Sequence, residues 1–66
     1  MKVGDLCWVF EGCHKTYETP VIYLGNDELF VDAGHGHWLY HVVLMQEDGM
    51  KQKLAAYYYN LVPVKQ

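Results

Sequence analysis

Residues 38–56 read WLYHVVLMQEDGMKQKLAA, and whether this stretch folds back as a hairpin or runs into a helix decides the fold. Trp38 to Gln46 is the longest strand candidate, rich in aromatic and β-branched residues, and Asp48-Gly49 closes it with a turn signal. Residues 50–56 (MKQKLAA) then return as the other arm of the hairpin. Helix competes over Lys51 to Tyr59, because Ala, Leu, Lys and Gln all favour it. The reading adopted is a strand, then one 3-10 turn through Tyr58-Tyr59-Asn60, then a short closing strand in LVPV.

Upstream, apolar segments are short and separated by turn residues. Leu6 to Phe10 (LCWVF) is a first strand ended by Glu11 and Gly12, and residues 13–18 (CHKTYE) are a polar connection. Thr19 to Leu24 is a second strand, with Pro20 near its beginning, where a missing N–H does least harm. Gly25-Asn26-Asp27 reads as a tight turn, Leu29 to Val31 as a third strand and Ala33-Gly34 as its exit. Strands at this regular short spacing predict an all-β protein, a small barrel of five to six strands in one domain.

Two end motifs sharpen that expectation. Lys2-Val3-Gly4-Asp5-Leu6 opens the chain, Asn60-Leu61-Val62-Pro63-Val64 closes it, and Val42 to Gly49 carries the central hairpin. In this order they resemble small SH3-like barrel proteins, including many encoded by short bacteriophage reading frames. The resemblance spans nearly the whole chain. It implies an SH3-like barrel with one short 3-10 turn near the C-terminus, and a phage-type binding role toward a host or virion protein. The ALYDY-like stretch and paired tryptophans of signalling SH3 domains are absent, so proline-peptide binding is not implied.

Composition bounds the function. The chain has 66 residues, of which 52% are apolar, including two Trp, six Tyr and two Phe. That is rich core material for a length at which only about 60% of the unfolded surface is buried. Net charge is −3, and all basic residues are lysines. Phosphate binding needs a basic stripe and base reading favours Arg, so composition weighs against nucleic acid. Lys2, Lys51 and Lys53 with stacking aromatics are the residues of the alternative, a single-strand-binding barrel. Lys2 is followed by no apolar leader segment, and no apolar run approaches the ~20 residues of a membrane span. The expectation is a cytoplasmic protein with no membrane partner and with Cys7 and Cys13 as free thiols.

Catalytic and metal readings are weak. The chain contains no serine, and Cys13-His14 lacks an oxyanion donor set or an orienting carboxylate, so no enzyme is expected. Asp27 and Asp48 are explained by turn chemistry. If residues 35–41 are extended, His35, His37, Leu39 and His41 share a face, with His35 and His37 ~6.6 Å apart. Such a pair can converge on Zn²⁺ at bonds of ~2.0–2.1 Å, but the site then needs Cys7, Cys13 or His14 from across the barrel. His35 and His37 therefore stand as alternative zinc ligands, and no cofactor is expected.

The aromatic excess carries the functional expectation. Cys7 and Val9 occupy one side of the first strand, and Leu6, Trp8 and Phe10 the other. Asp32 marks the outward side of the third strand and places Phe30 with it, while Trp38 and Tyr40 share one parity along the fourth. A five-strand barrel cannot bury all these rings, and exposed aromatic clusters are typical of interface cores. Trp8, Phe10, Phe30, Trp38 and Tyr40 are thus the predicted contact residues of a non-enzymatic module that binds a protein partner or itself.

Overall fold

A computed structural model describes the backbone of residues 1–30 and 37–64, and the side chains of residues 1–27 and 39–64. The elements are β1 (Leu6–Glu11), β2 (His14–Lys15), β3 (Val21–Phe30), β4 (His37–Leu44), β5 (Lys51–Ala55) and β6 (Tyr59–Pro63). All pairings are antiparallel, and the described residues contain no helix. One sheet runs β2-β1-β3-β4-β5, with β6 against β1. Its curl makes a half-barrel, as the strand-rich sequence predicts.

β1 is the hub. One edge pairs with β6 along its whole length, from Cys7 opposite Pro63 to Glu11 opposite Tyr59. The other edge is shared: Leu6 and Cys7 pair with Ile22 and Val21, and Phe10 and Glu11 pair with Lys15 and His14. The two-residue strand β2 therefore lies inside the segment expected to be a polar connection. It forms because Gly12, at φ +64, begins a two-residue loop that returns the chain at once. Pairing hands over from β2 to β3 next to Pro20, which has no N–H to donate. At the N-terminus, Gly4 at φ +98 turns the chain so that its N–H donates to Tyr23 C=O (2.7 Å), while Tyr23 N–H donates to Asp5 C=O (2.9 Å).

The central hairpin forms as expected, though β4 begins at His37 and ends at Leu44. Its loop is closed by Met45 N–H on Met50 C=O (2.8 Å) and by Asp48 Oδ1, which accepts from Met50 N–H (2.9 Å). Gly49, at φ +69, supplies the left-handed residue. β5 is a strand, and helix propensity loses because Leu54 is drawn into the core beside β4. The turn before β6 comes earlier than Tyr58-Tyr59-Asn60: it is closed by Tyr58 N–H on Ala55 C=O (3.0 Å), and Tyr59 and Asn60 already belong to β6. Tyr59 packs against the core, which takes it out of the turn.

One expectation is overturned. Gly25-Asn26-Asp27 is not a turn between two strands; β3 is continuous from Val21 to Phe30. The register slips by one residue between Tyr23 and Gly25, where Tyr23 faces Val43 but Gly25 faces Val42. Gly25, at φ +116, takes up the extra residue as a β-bulge. Val31, the expected end of a third strand, and the Ala33-Gly34 exit lie outside the described residues.

The concave side holds the core: Cys7, Val9, Val21, Val43 and Leu54, rimmed by Tyr17, Tyr23, Met45, Tyr59 and Leu61. Each buried residue sits at the alternate position its strand demands, as Cys7 and Val9 do in β1.

Candidate functional site: the outward face of the first strand

Alternation in β1 turns Leu6, Trp8 and Phe10 to the convex side, where all three are half-buried. β6 extends this face, since Val62 stands opposite Trp8 and Asn60 opposite Phe10, and Val62 is 44% exposed. On the other flank, Lys15 pairs with Phe10 and reaches diagonally to Trp8, with Nζ 4.0 Å from the ring centroid. Such a cation–π contact contributes about 0.5–1 kcal/mol when solvent-exposed. Beyond Leu6 the apolar row continues through Ile22 and Leu44, both half-buried, along the cross-strand register. A shallow depression beside Leu6 is lined by Thr19, Pro20, Gln46 and Glu47, and Gln46 Nε2 donates to Pro20 C=O (2.6 Å) across it. The result is an apolar, aromatic-centred strip with a cation at one side.

Tyr40 does not join this strip. It stands opposite Asp27 and Ala55, beside the Lys53–Asp27 ion pair (2.8 Å). Trp8 lies level with the start of β3 and Tyr40 level with Asp27, about 20 Å apart at ~3.3 Å per residue. The expected cluster is thus divided along the sheet. Phe30 stands opposite His37 and Trp38 opposite Leu29, so Phe30 and Trp38 occupy successive register positions. Their side chains, like Asp32 and the parity argument built on it, lie outside the described residues.

Of the lysines in the single-strand-binding alternative, Lys53 is held by Asp27 and its pKa is raised by that hydrogen bond. Lys51 and Lys2 are exposed. Lys15, which does sit on an aromatic, escapes sequence reasoning because the polar segment CHKTYE has no strand signature. Val62 is recoverable from strand parity in the closing LVPV.

His35 lies outside the described residues, as does the side chain of His37. Among the described residues no three His, Cys, Asp or Glu side chains come together as metal ligands. Cys7 is fully buried, with Sγ 3.7 Å from Val21 C=O, whereas Cys13 is exposed and both thiols are free. Burial, then the nearby Asp5 carboxylate, pushes the Cys7 thiol up from its ordinary value. Iodoacetamide is therefore expected to alkylate Cys13 in the folded protein and to reach Cys7 only on unfolding. Mass spectrometry of a time course reads this directly, and equal rates at the two thiols would refute it.

His41 lies across from Asn26, with Nδ1 3.0 Å from Asn26 Oδ1, and meets the Tyr23 ring edge-on. Burial lowers its pKa from the usual imidazole value. The unfolded chain then binds the proton more readily than the folded one. His41 stabilises the fold fully above about pH 6.5, and that contribution falls as pH drops through and below this value. NMR titration should place the His41 midpoint below those of solvated histidines. Thermal melts should fall less on acidification in His41→Gln than in the parent chain.

At the far end of β1, Tyr58 OH donates to Glu11 Oε1 and stacks edge-on to Tyr59 at 5.1 Å, tying the β5–β6 turn to the β1–β2 hairpin. That hydrogen bond to Glu11 raises the Tyr58 pKa.

The fold and this strip together define a small all-β half-barrel with an aromatic outer surface. No protein-family model, curated protein or solved structure matches the chain.

Proposed function

We propose that this chain is an SH3-like barrel of the phage-encoded kind, a cytoplasmic, non-enzymatic binding module that engages a protein through the outward face of β1. The strand order supports the barrel class: β6 returns after a single tight turn to pair with β1, and β3-β4-β5 form a meander. One observation carries the functional reading. β1, bonded to neighbours along both edges, presents Leu6, Trp8 and Phe10 outward, next to exposed Val62, while its opposite side already supplies the core. A strand apolar on both faces needs a second covering surface, and Trp at the centre of an apolar patch with a polar rim is the usual anchor of an interface.

Trp8→Ala tests this. Loss of an anchor ring costs about 2 kcal/mol or more of binding. Loss of a core Trp instead costs ~3–5 kcal/mol of stability. Trp8→Ala is expected to keep most of the melting temperature and to weaken association with the captured host or virion protein by about thirtyfold. A variant that binds like the parent chain, or that unfolds, places Trp8 outside the contact.

A further inference from the structure

We propose that the chain also pairs with a second copy of itself, joined through the open edge of β6 in an antiparallel β6–β6 pair beside the outward face. The inference goes beyond the reading of the outward face, which the pair enlarges and leaves open to a further partner.

Among the described residues three strands have one bonded neighbour each: β5, paired only with β4, β6, paired only with β1, and the two-residue β2 (His14–Lys15), paired only with β1 and itself carrying a lysine. Antiparallel ladders alternate, so the backbone groups of every second residue point to the open edge. In β5, Met45 N–H bonds Met50 C=O and Ala56 N–H bonds Leu39 C=O, so the even-numbered residues bond inward. The open edge of β5 then belongs to Lys51, Lys53 and Ala55. Lysines on an edge oppose strand addition by a like copy. In β6, Val64 N–H bonds Leu6 C=O (3.0 Å), so Asn60 and Val62 bond inward and Tyr59, Leu61 and Pro63 face the open edge. β6 carries no charge at all.

That edge is self-complementary about Leu61. In a two-fold antiparallel pair, Leu61 N–H of each copy donates to Leu61 C=O of the other. Tyr59 N–H of each donates to the Pro63 carbonyl opposite. Pro63 has no N–H to return to Tyr59 C=O and its ring faces the partner there, so the pair is confined to the residues around Leu61. On the convex side, Asn60 of one copy meets Val62 of the other, so the two Trp8–Phe10–Val62 strips become one continuous apolar surface. The two-fold pair is closed: the β6 edge is used up, and the lysine-bearing β5 edges remain outside.

The test is analytical ultracentrifugation of the full chain over a concentration series, beside a chemically synthesised full chain with N-methyl-leucine at position 61. The methyl group removes the central donor while leaving every bond to β1 and the leucine side chain intact. Dimerisation of the parent chain, weakened at least about tenfold by N-methylation with melting preserved, supports the inference, since two central hydrogen bonds are removed at once. A parent chain that stays monomeric overturns it and leaves the Trp8 face to a different protein. Equal dimerisation of both chains overturns the edge pairing. If N-methylation unfolds the chain, hydrogen exchange on the unmodified protein decides. Leu61 and Tyr59 amides protected only at high concentration support the pair, and amides equally exposed at both concentrations refute it. A dimer lost on N-methylation but kept in Trp8→Ala supports the edge pairing, and the outward face is then tested separately by the binding assay on Trp8→Ala.

Discussion

Leu54→Ala is expected to remove a large part of the stability of this protein. Leu54 is 6% exposed and is the one buried residue of β5. It fills the core beside Cys7, Val9, Val21 and Val43, none of which is large. Truncating a buried leucine costs about 2–5 kcal/mol, more where the site cannot collapse around the gap. A domain of this length has roughly 3–10 kcal/mol in all, so the variant stands near the unfolding midpoint. The melting temperature should fall by about 10–30 °C, at ~4–8 °C per kcal/mol for domains of this size. Leu54→Met keeps most of the volume and should cost less than about 1.5 kcal/mol. Because β5 bonds to the sheet along β4 alone among the described residues, its amides should lose protection before those of β1. A Leu54→Ala melt within a few degrees of the parent would mean that the residue is not in the core.

Gly25→Val is expected to destabilise the protein by about 1–3 kcal/mol through the backbone alone. Gly25 sits at φ +116, and a Cβ built there meets only Val3 Cγ2 at 3.8 Å, an ordinary contact. Space is available; the conformation is not, since a β-branched residue is a clear outlier at positive φ. The melting temperature should drop by about 5–20 °C. A tight turn at residues 25–27 would also suffer from this change, so the melt needs a second measurement. Cross-strand NOEs between Asn26 and His41 and between Asp27 and Tyr40 establish the continuous, bulged strand. Their absence from the parent chain would restore the turn.

These two residues show where sequence reasoning works and where it stops. The alternation Leu6-Cys7-Trp8-Val9-Phe10 by itself separates a core side from an outward side, and the folded chain obeys it. The Asp48-Gly49 turn is equally legible, because a glycine at positive φ after an Asx residue is a local requirement. Gly25-Asn26-Asp27 has the composition of a turn, yet the same residues serve as a bulge when β4 lies alongside to hold them extended. Nothing within residues 25–27 distinguishes the two states. Lys51 to Ala55 has the composition of a helix, and it is a strand because Leu54 gains burial next to β4.

The candidate site divides in the same way. Trp8 and Phe10 as outward rings follow from parity in a single strand. The separation of Tyr40 from them, and the meeting of Lys15 and Val62 with Trp8, depend on which strands flank β1 and in what register. By itself, the sequence determined an all-β chain, its hairpin turn at Asp48-Gly49 and which side of β1 faces the core, because turn chemistry and period-two alternation act between near neighbours. Tertiary structure alone decided that β3 is one bulged strand and that β6 pairs with β1 in its observed register, and it removed the helix that competed with the strand expected at residues 51–55. Those outcomes depend on hydrogen bonds and burial between segments far apart in the chain.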